Sequence, residues 1–218
     1  MIPDFTKAAT AAMQILIDRE ITETPILSLP ILKNYPHVRV MSFANMADSS
    51  EMERADLVPL FGVNQDAATF RLEMEDVKYA VIYNMRLPHE EIRRAIAREL
   101  GHIVLGHDGQ TRSTEVRKAE ALCFAHHLLT PRPIIHMIQQ SGLPLTLNVL
   151  VHTTGCSADC VDEIREIPGV DVSPDLNCAV RELFEPHIAE YIRFHKSSPK
   201  PDNSPVIDFG TYMEGYEE

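Results

Sequence analysis

The chain contains no tryptophan, and phenylalanine and tyrosine bring its aromatic content to only 6%. Its core must therefore be built mainly from aliphatic side chains, and the 44% hydrophobic content is enough for one. Four cysteines in 218 residues are too few for a disulfide framework, so reduced thiols and a cytoplasmic setting are expected. No apolar run approaches the ~20 residues that a membrane helix needs. The segment Met1 to Lys7 lacks a basic stretch followed by an apolar one, so no secretory leader is expected. Positive charge is also scarce. Twenty Lys and Arg stand against 32 Asp and Glu, a net charge of −12. That balance argues against direct nucleic-acid binding, which needs a basic face. It favours a basic protein partner or solubility alone.

The remaining residues order the chain into elements. Asp4 caps a helix running to about Glu20, with Ala8, Ala11, Ala12, Ile15 and Leu16 on its apolar side. Residues 22–36 hold three prolines and read as an irregular connection. Val38 to Phe43 alternates and is β-prone, a first strand. A short helix is expected from Ser49 to Leu60, then strands over 68–73 and 77–84, joined as a hairpin near Met74-Glu75-Asp76. Pro88 opens a long helix that stops near Gly106, and a second helix runs from about Ser113 to Leu129 before Pro131. Further helices are expected over about 133–141, 145–154, 157–166 and 173–195. Residues 197–218 are polar, Pro-rich and acidic, and composition marks them as disordered.

The chemistry concentrates in Ala97-Arg98-Glu99-Leu100-Gly101-His102-Ile103-Val104-Leu105-Gly106-His107. The zinc-protease motif H-E-x-x-H places two histidines one turn apart on a helix, beside a glutamate that takes a proton from metal-bound water. Here the Glu and the second His are present, and Arg98 stands at the first His position. A guanidinium has no lone pair for a metal and stays charged. On a helix Arg98 and His102 lie ~40° apart and Glu99 ~60° to the other side of His102, so all three share a face. The next helix adds Glu120, a carboxylate in the otherwise apolar run Ala119 to Leu129. Such a group is costly unless it is paired or holds a metal. His107 falls ~140° from His102 on an ideal helix and reaches this site only if the helix ends at Gly106. His127 lies two turns, ~11 Å, from Glu120.

The run from Arg98 to Gly109, followed by Glu120-Ala-x-x-Phe-Ala-x-x-Leu-Leu-x-Pro131, resembles the ImmA/IrrE-like metallopeptidases over roughly residues 35–135. The resemblance implies an α+β, zincin-like fold with a small, mainly three-stranded sheet and a helical C-terminal part. The strand before the motif helix, Val77 to Asn84, would line the substrate cleft. It implies zinc as cofactor, with His102 and Glu120 as metal ligands, Glu99 as the catalytic base and His107 as a further candidate ligand. It also implies action on a DNA-binding, helix-turn-helix repressor in a bacterial mobile-element or phage regulatory system. Arg98 departs from this pattern and leaves two readings open. One is a zinc-dependent endopeptidase. The other is a pseudopeptidase of the same fold that binds its partner without metal, with Arg98 bridging Glu99 and Glu120 in place of the ion. A third reading, an unrelated helical scaffold, excludes a motif helix packed on a three-stranded sheet.

The expected organisation is an N-terminal helix and connection (1–34), the zincin core (35–140), a helical part packed on it (141–196) and the tail (197–218). The helices after residue 140 are too acidic to read DNA, with Asp159, Asp162, Glu163, Glu166, Asp171 and Asp175 outnumbering the bases. The spacing His152-x-x-x-Cys156-x-x-x-Cys160, with Cys178 beyond, suits a metal on one continuous helix. Gly155 and Ser157 instead predict a break there, with Ser157 capping a new helix.

Overall fold

The first helix forms because Asp4 accepts a hydrogen bond from the Lys7 N–H at 3.0 Å and Ala8, Ala9, Ala12, Met13 and Leu16 bury one face. The structure is a computed structural model that describes residues 2–49, 66–72, 74–108, 112–197, 202–213 and 216. Helix α1 spans Phe5–Asp18, and a short α2, Ser28–Lys33, lies within the stretch expected to be irregular. Ser28 explains α2's place, since its hydroxyl is buried and donates to the Arg93 carbonyl at 2.7 Å. The strands are β1 (Val38–Ser42), β2 (Ala67–Arg71) and β3 (Tyr79–Tyr83). Helix α3, Phe43–Ser49, follows β1 directly, so the strand ends one residue earlier than expected. Most of the helix expected over 49–60 lies outside the described residues.

The sheet order is β1-β3-β2. β3 pairs parallel to β1, with Val40 opposite Val81, and antiparallel to β2, with Thr69 opposite Val81. Ala80, Val81 and Ile82 of β3 are buried, as a central strand requires. The strand before the motif helix contributes Tyr79 to the cleft, as expected, and β2 contributes more of its lining. The turn joining β2 to β3 falls where the sequence placed it.

The motif helix α4 (His89–Val104) packs against β2, β3 and the ligand helix α5 (Thr114–Leu129). Gly101 makes the α4–α5 approach possible. A Cβ there would stand 2.9 Å from Phe124 Cδ1. A motif helix packed on a three-stranded sheet also removes the unrelated helical scaffold.

The rest is helical: α6 (Arg132–Gln140), α7 (Leu147–Thr154), α8 (Ala158–Arg165) and α9 (Pro174–Ser197). Gly155, at φ +66°, ends α7 in the left-handed region, and Ser157 caps α8 through Cys160 N–H at 3.2 Å. The break foreseen between His152 and Cys160 is therefore present.

The tail differs most from its expectation. Residues 202–213 lie on the protein instead of being disordered. Ile207 N–H donates to Leu145 O and Leu147 N–H to Pro205 O. Phe209 and Tyr212 are buried in the core at 1% and 0% exposure. Arg132, itself fully buried, donates to the carbonyls of Tyr212 and Val170. Two apolar anchors and a buried guanidinium outweigh a composition that is polar on average.

Candidate functional site

Helix α4 aims Arg98, Glu99 and His102 toward a cleft of about 610 Å³ between β2 and α5, lined also by Thr69, Arg117 and Lys118. Glu99 is 7% exposed and accepts a hydrogen bond from the Thr69 hydroxyl at 2.7 Å. Burial raises its carboxyl above the usual range, against the lowering pull of that bond and of Arg98. A carboxyl whose proton affinity is raised by burial is suited to act as a base.

His107 enters the site. Helix α4 ends at Val104, and Gly106 takes φ +65°, which turns the chain back. His107 is consequently 2% exposed and sits between the other two candidates. Its Nδ1 lies 2.8 Å from His102 Nδ1 and its Nε2 lies 3.0 Å from Glu120 Oε2. The condition set by the sequence, that the helix end at Gly106, is met within two residues.

Glu120 is 2% exposed and has a full set of partners. Besides His107 Nε2, its Oε1 accepts from Arg112 and from the backbone N–H of Asp4 at 2.7 Å. The expected bridge by Arg98 is thus replaced. Arg98 pairs with Asp66 at 3.4 Å, and the cation on Glu120 is Arg112. The reason is reach: Arg98 starts on the β2 side of α4, whereas Arg112 lies immediately before the cap of α5.

These contacts order the protons. A carboxylate accepts only, so the neutral His107 gives its one N–H, at Nε2, to Glu120. Its Nδ1 then accepts from His102, which leaves His102 Nε2 with the lone pair. Burial, with His107 and Arg98 nearby, lowers His102 to about 4, and burial also lowers His107 despite Glu120. Both rings are neutral at pH 7, in keeping with this chain of bonds.

A metal needs several lone pairs aimed at one point. The donor types are suitable, two imidazoles and a carboxylate, but here they are spent in a line on one another. Among the described residues no three His, Cys, Asp or Glu side chains are placed to hold a metal ion. The residues as arranged do not fit zinc.

Thr69, Asp66, Arg112 and the Asp4 N–H carried no local signal as site residues. Nor did the triplet at the cleft mouth, where Asp108 accepts from Tyr79 Oη at 2.9 Å and pairs with Arg71 at 3.3 Å. His126 and His127 are both fully buried. Cys123 is a core thiol pushed up to about 12 by burial. His152 turns away from Cys156 and Cys160, its Nδ1 2.8 Å from Asn148 O.

Residues 55–157 match the model of the IrrE N-terminal-like domain, Peptidase_M78. Over those residues the chain is similar to that domain. The match starts later and ends further on than the stretch read from the motifs, and takes in α6 and α7. No curated protein and no solved structure matches the chain. No helix among the described residues is long and apolar enough to cross a membrane.

Proposed function

We propose that this protein is a pseudopeptidase of the IrrE N-terminal-like family, which binds a partner protein in its cleft without metal and without cutting it. The observation that carries this reading is the state of Glu120. Both its oxygens are taken by Arg112, the Asp4 N–H and His107, and Arg98 stands where the family motif has a histidine. Positive charge that a zinc ion would bring is already supplied by Arg112.

The partner on this reading is a helix-turn-helix repressor of a bacterial mobile-element or phage system, in keeping with the family resemblance. An extended segment of it would lie in the cleft beside β2, where the cleft side chains give selectivity. Neither Glu99 nor His102 carries out chemistry on this reading. Glu99→Gln keeps Thr69 as neighbour and leaves partner affinity unchanged. Melting provides a second test. A chelator leaves Tm unmoved, and added zinc raises it by no more than experimental scatter. A chelator-induced fall in Tm contradicts the proposal.

A second reading has its own observation in its favour. His107 is carried into the site by Gly106 and is buried beside His102 and Glu120. In a metallo-endopeptidase it would replace the missing ligand, giving His102, His107 and Glu120 for zinc, with Glu99 as base. That reading requires Arg112 to leave Glu120 and the histidines to turn. It predicts that Glu99→Gln abolishes cleavage of a partner while the fold is kept.

A further inference from the structure

Cations and anions of the cleft are unevenly matched on its two sides. Toward β2 each arginine has its own carboxylate. Arg71 pairs with Asp108 at 3.3 Å and Arg98 with Asp66 at 3.4 Å. Glu99 is buried and bonded to the Thr69 hydroxyl. The α5 side is different. Arg117 donates to the His107 carbonyl at 3.2 Å and to the Thr114 hydroxyl at 3.3 Å, both neutral acceptors. Its Nε–H is buried and has no hydrogen-bond partner among the described residues. Lys118, next in the chain, is exposed and lines the same cleft. It makes no hydrogen bond or ion pair among the described residues. The nearest acidic side chain on α5, Glu115, feels both cations but is exposed and outside the lining of the cleft. Positive charge from Arg98, Arg117 and Lys118 reaches the centre of the site, where it opposes protonation of His102.

We propose that the partner segment held in this cleft carries an acidic side chain, and that Arg117 and Lys118 bind its carboxylate. This selectivity rests on the cleft being a partner-binding site, as proposed for the function. The two cations divide the work. Arg117 is a planar donor fixed by its bonds to His107 and Thr114, whereas Lys118 is a point charge on a flexible stem that can close over a bound anion. Charge-assisted hydrogen bonds from such donors are stronger than neutral ones. A basic side chain at the same place meets two like charges, which costs affinity. A polyanion such as nucleic acid fits poorly, because Asp66, Glu99 and Asp108 line the same cleft and the whole chain carries −12. A single carboxylate on the α5 side avoids them.

The test uses pools of short, C-terminally amidated peptides bearing an uncharged fluorophore. Each pool has Glu, Gln or Lys fixed at the centre and a mixture of uncharged residues elsewhere. Binding to the full-length protein is read by fluorescence anisotropy. The Glu pool is expected to bind about tenfold more tightly than the Gln pool, and the Lys pool more weakly than either. Added salt should narrow the difference. Lys118→Glu, a change at an exposed position, should cancel or reverse the preference. Equal affinity for the pools overturns the proposal, as does no binding by any of them. So does tighter binding of oligothymidylate than of the Glu pool, or an unchanged preference in a Lys118→Glu protein whose circular dichroism matches wild type. If that variant misfolds, the wild-type comparison alone decides. Mass spectrometry of the peptides after incubation separates the two proposals. Cleavage of the Glu pool would refute the pseudopeptidase and leave acidic selectivity standing. Intact peptides bound without charge preference would refute the selectivity alone.

Discussion

Gly101 decides how closely the motif helix meets the ligand helix. A methyl group there would press on Phe124 Cδ1 at 2.9 Å and Cγ at 3.1 Å, and both residues are fully buried in the core. Gly101→Ala is expected to lower unfolding free energy by about 1–3 kcal/mol, measured by urea denaturation. Unchanged stability would mean that α4 and α5 can separate freely. His127 gives a residue-scale prediction in pH. It is fully buried, its Nδ1–H donates to Cys123 O at 3.0 Å, and burial lowers it to about 3. Its folded value lies below the unfolded value of about 6.5. The unfolded state therefore binds the proton first as pH falls. Stability is present above the unfolded value and is lost progressively from there toward the folded one. Tm measured between neutral and acid pH is expected to fall less steeply in His127→Phe than in wild type, and an equal slope would exclude this histidine as a cause. Helical spacing alone put Arg98, Glu99 and His102 on one face, and Glu120 stood out as a carboxylate in an apolar run. Their partners were not legible in this way. Thr69 is 30 residues from Glu99, and the Asp4 N–H is 116 residues from Glu120.

At the scale of elements, the caps and breaks carried the clearest information. Asp4, Ser113 and Ser157 each cap the helix that the sequence assigns them, and Gly155 ends α7 as its position implies. Such signals are local, a side-chain oxygen and an N–H three residues on, so they can be read without the fold. Which strand forms the edge of the sheet is a different kind of fact. It depends on β1 returning parallel to β3, and no local feature of Val38–Ser42 states that. The C-terminal segment was misread for a related reason. Its average composition is polar, while two side chains, Phe209 and Tyr212, hold it. Phe209→Ala is expected to cost about 3–5 kcal/mol, as for other buried aromatics cut to alanine. Ending the chain after residue 204 should likewise lower Tm. A truncated chain as stable as the full one would show that the segment adds nothing to the core.

The whole molecule carries a net charge of −12, yet Arg71, Arg98, Arg117 and Lys118 line its one described cleft of site residues beside Asp66, Glu99 and Asp108. Charge at this scale excluded a nucleic-acid face as an expectation but could not reveal a mixed cleft, because composition averages over the surface. The same limit applies to Arg98. Its identity in the motif marked a departure, and only the assembled chain places Arg112, rather than Arg98, on Glu120. The central claim is that this cleft is held together by its own side chains in place of a metal. It is tested most directly by zinc per chain, measured by elemental mass spectrometry on protein purified without chelator, alongside Arg98→His. The account predicts far less than one zinc per wild-type chain, and metal gained only when the histidine is restored. Close to one zinc in the wild type would contradict it, and would place His107 among the ligands of a working peptidase.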